Sequence, residues 1–453
     1  MGSDPPLSSS GAAVDPALGP LKRAADDLGV RAWAVGGFVR DHMLGRDHPD
    51  LDVVVEGGDA LQLAERFARI TGSRRPALFP RFGTAQVTWR GRQIEFVTAR
   101  AESYAPDSRK PEVRPATLQE DLLRRDFTVN ALLMDLDGRV LDPLGGLADL
   151  ERRILRTPRD PLETFNDDPL RMLRAIRLAV QLDFELDPSL LPAIRRLRER
   201  ARPPVLSVER INEELRKMLL SGQPRRALEL LDAGGLLEVL MPEVYACHGV
   251  QQGGWHTHDV FGHSLETVQH TDADLLLRLA ALYHDVGKPP TATPDGAFHG
   301  HDAVGSEMTR EALVRLRFSN AEVDSVSRLV RLHLRPVFYT PDWGDGAVRR
   351  LARDAGPLLW RLIALARADI AASAYPHGDK IDELEGRLRS VLDETPSRMQ
   401  IPVSGRDIMR ARGIGPGPEV GRVKERLEEL VMDGTLAPDR QALLDHLVSH
   451  PDL

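Results

Sequence analysis

The spacing of apolar and polar residues changes character near Leu150. Before that point, two short apolar runs over residues 52–56 and 93–97 predict β-strands, and a helical periodicity covers residues 60–71. The stretch 101–115 is polar, contains three prolines and predicts a long loop. After Leu150, Leu, Arg and Glu recur at helical spacing to the end of the chain. The pattern predicts an α+β protein in which a small α/β head with a mixed sheet precedes an all-α body.

Proline- and glycine-rich breaks divide the helical part further. The length of 453 residues corresponds to about three domains. We expect a disordered N-terminal tail over 1–16, the α/β head over 17–150, a helical neck and body over 151–250, a further helical domain over 251–390 and a helical tail over 391–453.

The overall charge by itself argues against a nucleic-acid partner. The chain has 60 Lys+Arg and 68 Asp+Glu, a formal net charge of −8, whereas phosphate binding needs a basic surface. The distribution changes this picture, because residues 171–226 contain 13 basic and 7 acidic residues. Only six of the basic residues in the chain are lysines, and arginine is suited to bidentate phosphate contacts. A local RNA-binding surface is therefore compatible with an acidic chain.

Membrane and disulfide features are missing from the sequence. No apolar run reaches the roughly 18 residues that a membrane helix needs, and the N-terminus lacks the basic start and apolar core of a signal peptide. The single cysteine, Cys247, excludes an internal disulfide and a cysteine-based zinc cluster. We expect a cytoplasmic protein without a membrane partner, while the oligomeric state stays open.

A first group of candidate site residues surrounds the first predicted strand. Asp50 and Asp52 stand two residues apart at its start, so their side chains point to one face of the sheet and can bind a hard cation such as Mg²⁺. Glu95, on the second predicted strand, is either a third carboxylate or a solvated strand residue. Gly36 and Gly37 follow an apolar strand, where they either allow a phosphate to approach the backbone or form a simple tight turn.

A basic segment follows the predicted loop. Arg124 and Arg125 stand beside Asp126, in a run that continues to Asn130. These side chains either hold a triphosphate and a ribose hydroxyl or form a surface ion pair.

A third segment combines carboxylates with a basic stripe. Asn166 or Asp167 is predicted to cap a helix. Asp168 and Arg171 are three residues apart and would share a helix face, where an ordinary salt bridge is the alternative. The basic stripe continues at helical spacing through Arg174 and Arg177.

The order and spacing of five motifs resemble those of the bacterial and eukaryotic tRNA nucleotidyltransferases and the related bacterial poly(A) polymerases. The resemblance covers about residues 32–226, and the run 402–421 is similar to the tail of these enzymes. The motifs are Gly36-Gly37 with Arg40-Asp41, Asp50-Leu-Asp52, residues 124–130, Asp142-Pro-Leu-Gly-Gly146 and residues 168–171.

The resemblance implies transfer of CMP and AMP from CTP and ATP to the 3′ end of tRNA without a nucleic-acid template. The 3′-hydroxyl would attack the α-phosphate and expel pyrophosphate, with two metal ions about 3.5–4 Å apart at the entering and leaving oxygens. The resemblance assigns catalysis and Mg²⁺ binding to Asp50 and Asp52. The further nucleotide contacts that it implies are Gly36, Gly37, Arg40, Arg124, Arg125, Asp126, Asn130, Asp168, Arg171, Arg174 and Arg177.

Base choice follows from hydrogen bonding. Cytosine and adenine both present an amino donor beside an unprotonated ring nitrogen, so a fixed carboxylate and a fixed guanidinium accept them and reject uracil and guanine. The resemblance assigns these roles to Asp168 and Arg171. The family motif begins with Glu where this chain has Asp167, whose role stays open. Residues 100–111 resemble a flexible loop that helps the switch from C to A, and their near-full length argues against a CC-only enzyme.

A second group of ligand-type residues lies in the predicted domain over 251–390. The series His263, His284-Asp285 and Asp369 resembles the metal ligands of the HD phosphohydrolase superfamily, some of whose members hydrolyse 2′,3′-cyclic phosphates and 2′-nucleotides. His301 and His333 would then serve a second metal or a phosphate. Imidazole and carboxylate ligands suit Mn, Ni, Fe or Mg. For any single histidine here, a structural role is the alternative.

We therefore expect a tRNA nucleotidyltransferase with an HD domain. CC-adding, A-adding and poly(A)-adding relatives share these motifs and remain alternatives. From another class, the chain could be a metal-dependent HD phosphohydrolase that uses the head only to bind RNA. A non-catalytic RNA-binding protein is disfavoured, because both Asp50 and Asp52 are present.

Overall fold

A computed structural model describes residues 15–48, 50–103, 112–253, 257–374, 379–394, 401–432 and 435–450. The chain divides into two compact units, Met1–Leu240 and Met241–Leu453. The predicted fold class is confirmed: a mixed-sheet head is followed by helices. The finer domain boundaries stay predictions. No helix among the described residues is long and apolar enough to cross a membrane.

The head is built on a seven-stranded sheet in the order β3-β4-β5-β2-β1-β8-β9. β2 and β5 are parallel, and the other neighbours are antiparallel, which makes the sheet mixed. α1 and α3 pack together, and α3 also packs on β4 and β5. The elements are α1 (Leu18–Leu28), β1 (Arg31–Val35), α2 (Gly37–Met43), β2 (Leu51–Glu56), α3 (Ala60–Thr71), β3 (Ala77–Phe79), β4 (Thr84–Trp89), β5 (Arg92–Thr98), β6 (Arg100–Ser103), β7 (Glu112–Pro115), α4 (Leu118–Leu123), β8 (Leu133–Met134), β9 (Val140–Leu141) and α5 (Gly146–Arg152).

Local sequence explains the main elements of the head. Val53, Val54 and Val55 of β2 are all buried, so both faces of the strand contribute to the core there. Asp59 caps α3 by accepting from the Leu61 amide, and Gly72 ends the helix with a left-handed conformation. The prediction of an uninterrupted loop over 101–115 is wrong at both ends, because β6 and β7 pair there. Residues 104–111, the middle of that predicted loop, lie outside the described residues.

The rest of the first unit is helical apart from a short strand pair. The predicted cap at Asn166 or Asp167 is wrong, because Asp160 with Pro161 already starts a helix there and both residues lie in its last turn. Asp168 instead accepts the Leu170 amide at the start of the next helix. The elements are β10 (Ile154–Leu155), α6 (Pro161–Asp167), α7 (Leu170–Leu182), β11 (Glu185–Leu186), α8 (Leu190–Leu197), α9 (Val208–Leu219), α10 (Pro224–Ala233) and α11 (Leu236–Leu240).

The described part of the second unit consists of helices and their connections. Its last three helices share a small apolar core that includes Ile408, Leu427 and Leu443. The elements are α12 (Pro242–Tyr245), α13 (Val260–Gln269), α14 (Leu275–Tyr283), α15 (Lys288–Thr291), α16 (His301–Arg315), α17 (Asn320–Leu332), α18 (Leu334–Val337), α19 (Asp345–Ala355), α20 (Leu359–Ala371), α21 (Asp379–Glu394), α22 (Gly405–Arg412), α23 (Pro418–Met432) and α24 (Arg440–Ser449).

Candidate active sites

Strand register places two of the candidate carboxylates side by side. Asp52 on β2 is the Cα partner of Glu95 on the parallel strand β5, and neighbouring residues of a sheet point to the same face. Burial raises the pKa of Asp52, which the nearby Arg125 partly offsets. Burial also raises the pKa of Glu95, and the charge of Asp52 raises it further. Asp50, just before β2, is exposed.

The chemistry of the carboxylates on β2 and β5 and just before β2 suits a hard divalent cation. Asp50, Asp52 and Glu95 offer only oxygen ligands, the type that Mg²⁺ prefers. Burial raises the pKa of both Asp52 and Glu95, and the negative charge of Asp52 repels that of Glu95. A bound cation would remove this repulsion.

The glycine pair lets the backbone approach both the carboxylate and a guanidinium. Gly36 has φ +80°, and α2 begins at the next residue. A Cβ atom on Gly36 would lie 3.2 Å from Asp52 Oδ2 and 3.5 Å from Arg125 Nη1. A Cβ on Gly37 would lie 3.0 Å from His48 Nε2. Glycine at these positions is therefore explained by close approach as well as by turn geometry.

A buried carboxylate that the sequence reasoning did not assign to the site anchors the two candidate phosphate-binding arginines. Asp121 is completely buried, and it accepts hydrogen bonds from Arg124 Nη2 at 2.5 Å and Arg125 Nη2 at 3.1 Å. Burial would raise the pKa of Asp121, but the two guanidinium groups lower it overall. The sequence signal that could have identified Asp121 is its spacing of three and four residues from Arg124 and Arg125, within about one helical turn.

A hydrogen-bonded chain joins four more of the predicted nucleotide contacts. Arg40 Nη1 donates to Asn130 Oδ1 at 2.7 Å, and Asn130 Nδ2 donates to Asp126 Oδ1 at 2.9 Å. Arg174 Nε donates to the other oxygen of Asp126 at 2.9 Å. Burial alone would raise the pKa of Asp126, but the charge of Arg174 and these hydrogen bonds hold it far below its ordinary value. The structure thus brings these residues together as one hydrogen-bonded ionic network.

The proposed base-reading pair sits at the junction of α6 and α7, and the two side chains do not form the ordinary salt bridge with each other. Asp168 Oδ2 accepts from Arg210 Nη2 at 2.8 Å. Arg171 donates from Nη2 to the Arg124 carbonyl at 2.6 Å and from Nη1 to the Thr164 carbonyl at 3.3 Å. Both groups are therefore held in place by partners other than each other.

Two residues of α9 form hydrogen bonds with candidate site residues, and the sequence analysis did not assign them to the site. They are Arg210, which holds Asp168, and Glu214, which accepts from Arg177 Nε. Burial lowers the pKa of Arg177, and Glu214 opposes this shift. Separations of 42 and 37 residues along the chain left no local spacing signal.

In the second unit, His263, His284 and Asp369 converge. His263 Nε2 is 2.9 Å and His284 Nε2 is 3.9 Å from Asp369 Oδ1. The His284 ring contacts the Ala281 carbonyl through Nδ1 at 2.8 Å. Its buried Nε2 has no aligned hydrogen-bond partner among the described residues. Two imidazole nitrogens and a carboxylate that converge in this way fit a divalent transition metal.

Asp285 joins this group to a second one. Its Oδ2 atom is 3.1 Å from His284 Nε2, whereas its Oδ1 atom is 3.4 Å from His301 Nε2 and 3.8 Å from His333 Nε2. The Nδ1 atoms of His301 and His333 contact the carbonyls of Phe298 and Val330, which directs both Nε2 atoms inward. The six predicted HD residues therefore form two adjacent ligand groups.

Electrostatics favour the metal-binding protonation states of Asp285, Asp369 and His333. At His284 burial lowers the pKa, but the charge of Asp285 outweighs this effect and raises the pKa overall. Burial would raise the pKa of Asp285, but His284 and Lys288 hold it well below its ordinary value. Burial would also raise the pKa of Asp369, but His263 and His284 lower it to about 2. Burial lowers the pKa of His333 to about 4. At neutral pH the carboxylates are charged and His333 is neutral, as metal ligation requires.

Comparisons with known proteins identify the family of the chain. Three family models match the chain: the poly A polymerase head domain over 32–156, the probable RNA and SrmB-binding site of polymerase A over 183–247, and the HD domain over 260–374. The chain is 35% identical to the A-adding tRNA nucleotidyltransferase of Deinococcus radiodurans, covering 91% of this chain and 94% of that protein. It is 37% identical to the CC-adding tRNA nucleotidyltransferase of Thermus thermophilus, covering 91% and 92%.

A solved structure shows the same architecture. The CCA-adding enzyme of Bacillus stearothermophilus, in complex with CTP, matches with a TM-score of 0.67 and 26% identity over 96% of each chain. Together these likenesses define a nucleotidyltransferase with an HD domain. The chain belongs to the tRNA nucleotidyltransferase and poly(A) polymerase family. Divalent-metal dependence follows from both of its enzyme domains.

Proposed function

We propose that this protein adds CMP, AMP or both to the 3′ end of tRNA, using CTP and ATP with Mg²⁺. The main supporting observation is that Asp52 and Glu95 are neighbours across β2 and β5, and that Asp52 lies beside Gly36 and Arg125, which Asp121 holds by a hydrogen bond. With this arrangement the carboxylates would bind a metal ion and Arg125 would bind a triphosphate at neighbouring positions on one face of the sheet. The relatives named above support tRNA as the acceptor.

In the proposed reaction the RNA 3′-hydroxyl attacks the α-phosphate, a new P–O bond forms, and the bond to pyrophosphate breaks. Asp50 and Asp52 would hold the cation, with Glu95 as a third carboxylate, and the bound cation supplies charge stabilisation at the entering and leaving oxygens. Arg124 and Arg125 would neutralise the triphosphate, with Asp121 fixing their direction.

Base selection would use Asp168 and Arg171. The Asp168 carboxylate can accept the exocyclic amine of cytosine or adenine, since each of its oxygens has a further lone pair. Arg171 uses two of its five N–H groups on carbonyls, so the others can donate to the ring nitrogen. The α6–α7 junction and Arg210 would fix the angle between the two groups.

The test is a transfer assay on three tRNAs, ending in the discriminator base, in C or in CC. Each is incubated with labelled CTP or ATP and Mg²⁺, and the pattern of extension distinguishes CCA, CC-only, A-only and poly(A) addition. Asp50→Ala should abolish every extension. The matched control is Asp47→Ala, which removes an exposed carboxylate just outside β2. Absence of transfer by the wild-type chain on all three substrates would refute the proposal.

The second unit supports a second activity, metal-dependent phosphohydrolysis. The observation that favours it is the pair of adjacent three-residue ligand groups bridged by Asp285. We expect hydrolysis of a 2′,3′-cyclic nucleotide with Mn²⁺ or Ni²⁺, lost in His284→Ala and retained in Asp50→Ala. Hydrolysis that persists in His284→Ala would assign the activity elsewhere.

A further inference from the structure

On one face of the sheet in the head, described residues of β3, β4 and β5 are exposed, and aromatic side chains lie at and just after the end of β3. Phe79 at the end of β3 is 47% exposed, and Phe82 in the short 3₁₀-helix that follows is 49% exposed. Arg81 lies over the Phe82 ring, with its guanidinium carbon 5.9 Å from the ring centroid. Exposed aromatics next to an arginine provide surfaces on which nucleic-acid bases stack.

Register connects this face to the catalytic carboxylates. Asp52, Glu95, Gln86 and Ala77 are successive Cα partners across β2, β5, β4 and β3. Gln86 is exposed, and Phe79 is two residues from Ala77, so its side chain belongs to the same face.

Arg100 interacts with both Phe82 and Glu95. Arg100 Nη1 donates to the Phe82 carbonyl at 2.9 Å. The charge of the same guanidinium acts on the Glu95 carboxylate. The backbone at Phe82 and the carboxylate of Glu95 are therefore both near the Arg100 guanidinium.

The charge of this region suits a polyanion. Residues 66–94 contain seven arginines and neither Asp nor Glu. Arg74, Arg75 and Arg81 are exposed, and none of them pairs with a carboxylate in the described part of the chain. On the far face of the sheet, α3 packs on β4 and β5.

We propose that this surface, formed by Phe79, Arg81, Phe82 and Gln86 and called here the β3–β5 face, binds the single-stranded 3′ end of the RNA that is extended. The proposal rests on the proposed transferase function. On the β1 side of Asp52, Gly36 and Arg125 occupy the space beside the carboxylate, which is where the triphosphate would lie. Toward β4 and β3, Glu95 and Gln86 are exposed among the described residues, so the RNA would approach the α-phosphate from there.

On this face, terminal bases would stack on Phe79 and Phe82, and Arg81 would contact a phosphate. A protein partner fits less well, because the aromatic pair is flanked by these exposed arginines and leads directly to Asp52 and Glu95. The exposed amide of Gln86 lies between the aromatics and the carboxylates, where it can bond a base or a ribose hydroxyl.

The kinetic test uses Phe79→Ala/Phe82→Ala in the full-length chain. We expect KM for tRNA to rise about tenfold, in line with loss of base stacking, with KM for CTP and ATP changed less than twofold. Arg81→Gln should raise KM for tRNA in the same way. Matched controls are Phe338→Ala, an exposed phenylalanine of the second unit, and Arg23→Gln, on α1. Both controls should leave KM for tRNA unchanged.

A second measurement uses the unaltered protein. A tRNA with 4-thiouridine as its penultimate or terminal nucleotide should cross-link to residues 79–86 under ultraviolet light. If the wild-type chain transfers no nucleotide, the proposed function fails. If it transfers normally while cross-links fall elsewhere and the double variant keeps its KM, the β3–β5 face is not the RNA site. Altered self-association of the double variant with unchanged KM for tRNA would assign the face to a protein contact instead.

Discussion

The position of Gly36 determines how closely Asp52 and Arg125 can approach the backbone at the end of β1. An added methyl group would sit 3.2 Å from Asp52 Oδ2, and φ +80° disfavours any residue with a side chain. We predict that Gly36→Ala lowers kcat/KM for nucleotide transfer at least about a hundredfold, because an ångström-scale displacement of a catalytic group has an effect of that order.

Gly45 offers a matched control for this substitution. It also has a positive φ, +64°, but nothing lies within 4 Å of its added Cβ. Gly45→Ala should cost roughly 1–2 kcal/mol of stability from backbone strain and leave kcat/KM within twofold. Equal activity losses in the two variants would show that strain, and not proximity to Asp52, matters.

Asp126 provides a pH-dependent test of the ionic network. Because its folded-state pKa lies below the unfolded value of about 3.9, its stabilisation is present in full above that pH and is lost as the pH falls below it. Asp126→Asn should destabilise the protein by about 3 kcal/mol at pH 7, since Arg174 loses its buried partner. Its urea midpoint should fall less steeply than that of the wild type as the pH decreases from about 4 to about 2. Parallel midpoint curves would contradict the network.

Several site residues were predictable from local spacing, and others were not. The two-residue spacing of Asp50 and Asp52 at the start of the Val-rich strand β2 was enough to propose them as metal ligands without long-range information. Arg210 could not be found in this way, because its pairing with Asp168 depends on how α9 packs beside the α6–α7 junction. The helix cap was misplaced for a related reason: two helix starts follow each other closely, and Asp160 with Pro161 forms the earlier one.

At the scale of elements, close packing of α16 against the turn after α14 builds the metal-ligand groups. A Cβ on Gly287 would lie 2.1 Å from the His301 carbonyl and 2.6 Å from the Gly305 amide nitrogen. Only a bare backbone there allows His301 to approach Asp285 to 3.4 Å. Helix spacing in this domain is therefore linked directly to ligand geometry.

Gly287→Ala should destabilise the second unit by about 2 kcal/mol or more through overpacking. It should also weaken Mn²⁺ binding at least tenfold, as measured by titration calorimetry. Gly386→Ala is the matched control, since Gly386 is exposed on α21 and its added Cβ meets nothing within 4 Å. That change should be neutral or stabilise by up to about 1 kcal/mol. Unchanged Mn²⁺ affinity in Gly287→Ala would show that the metal site does not depend on the close packing of α16 at Gly287.

At the scale of the whole molecule, the net charge of −8 coexists with the basic stretch 171–226. Many of its arginines are already paired inside the fold: Arg174 with Asp126, Arg177 with Glu214 and Arg210 with Asp168. The count of basic residues in the sequence therefore overstates the charge available to RNA. Only exposed basic side chains without such partners can neutralise phosphates, and this distinction needs the structure.

Arg196 and Lys217 are two such exposed side chains. If they bind tRNA phosphates, Arg196→Gln/Lys217→Gln should weaken binding and reduce the slope of log Kd against log salt concentration by roughly one for each phosphate that is no longer neutralised. The wild-type Kd should itself rise at least about tenfold between 50 and 200 mM salt. Arg310→Gln, an exposed arginine of the second unit paired with Asp324, is the control and should keep the wild-type slope. A double variant with an unchanged slope would assign the electrostatic binding of tRNA to other residues, and the exposed arginines at 74, 75 and 81 would be the next to substitute.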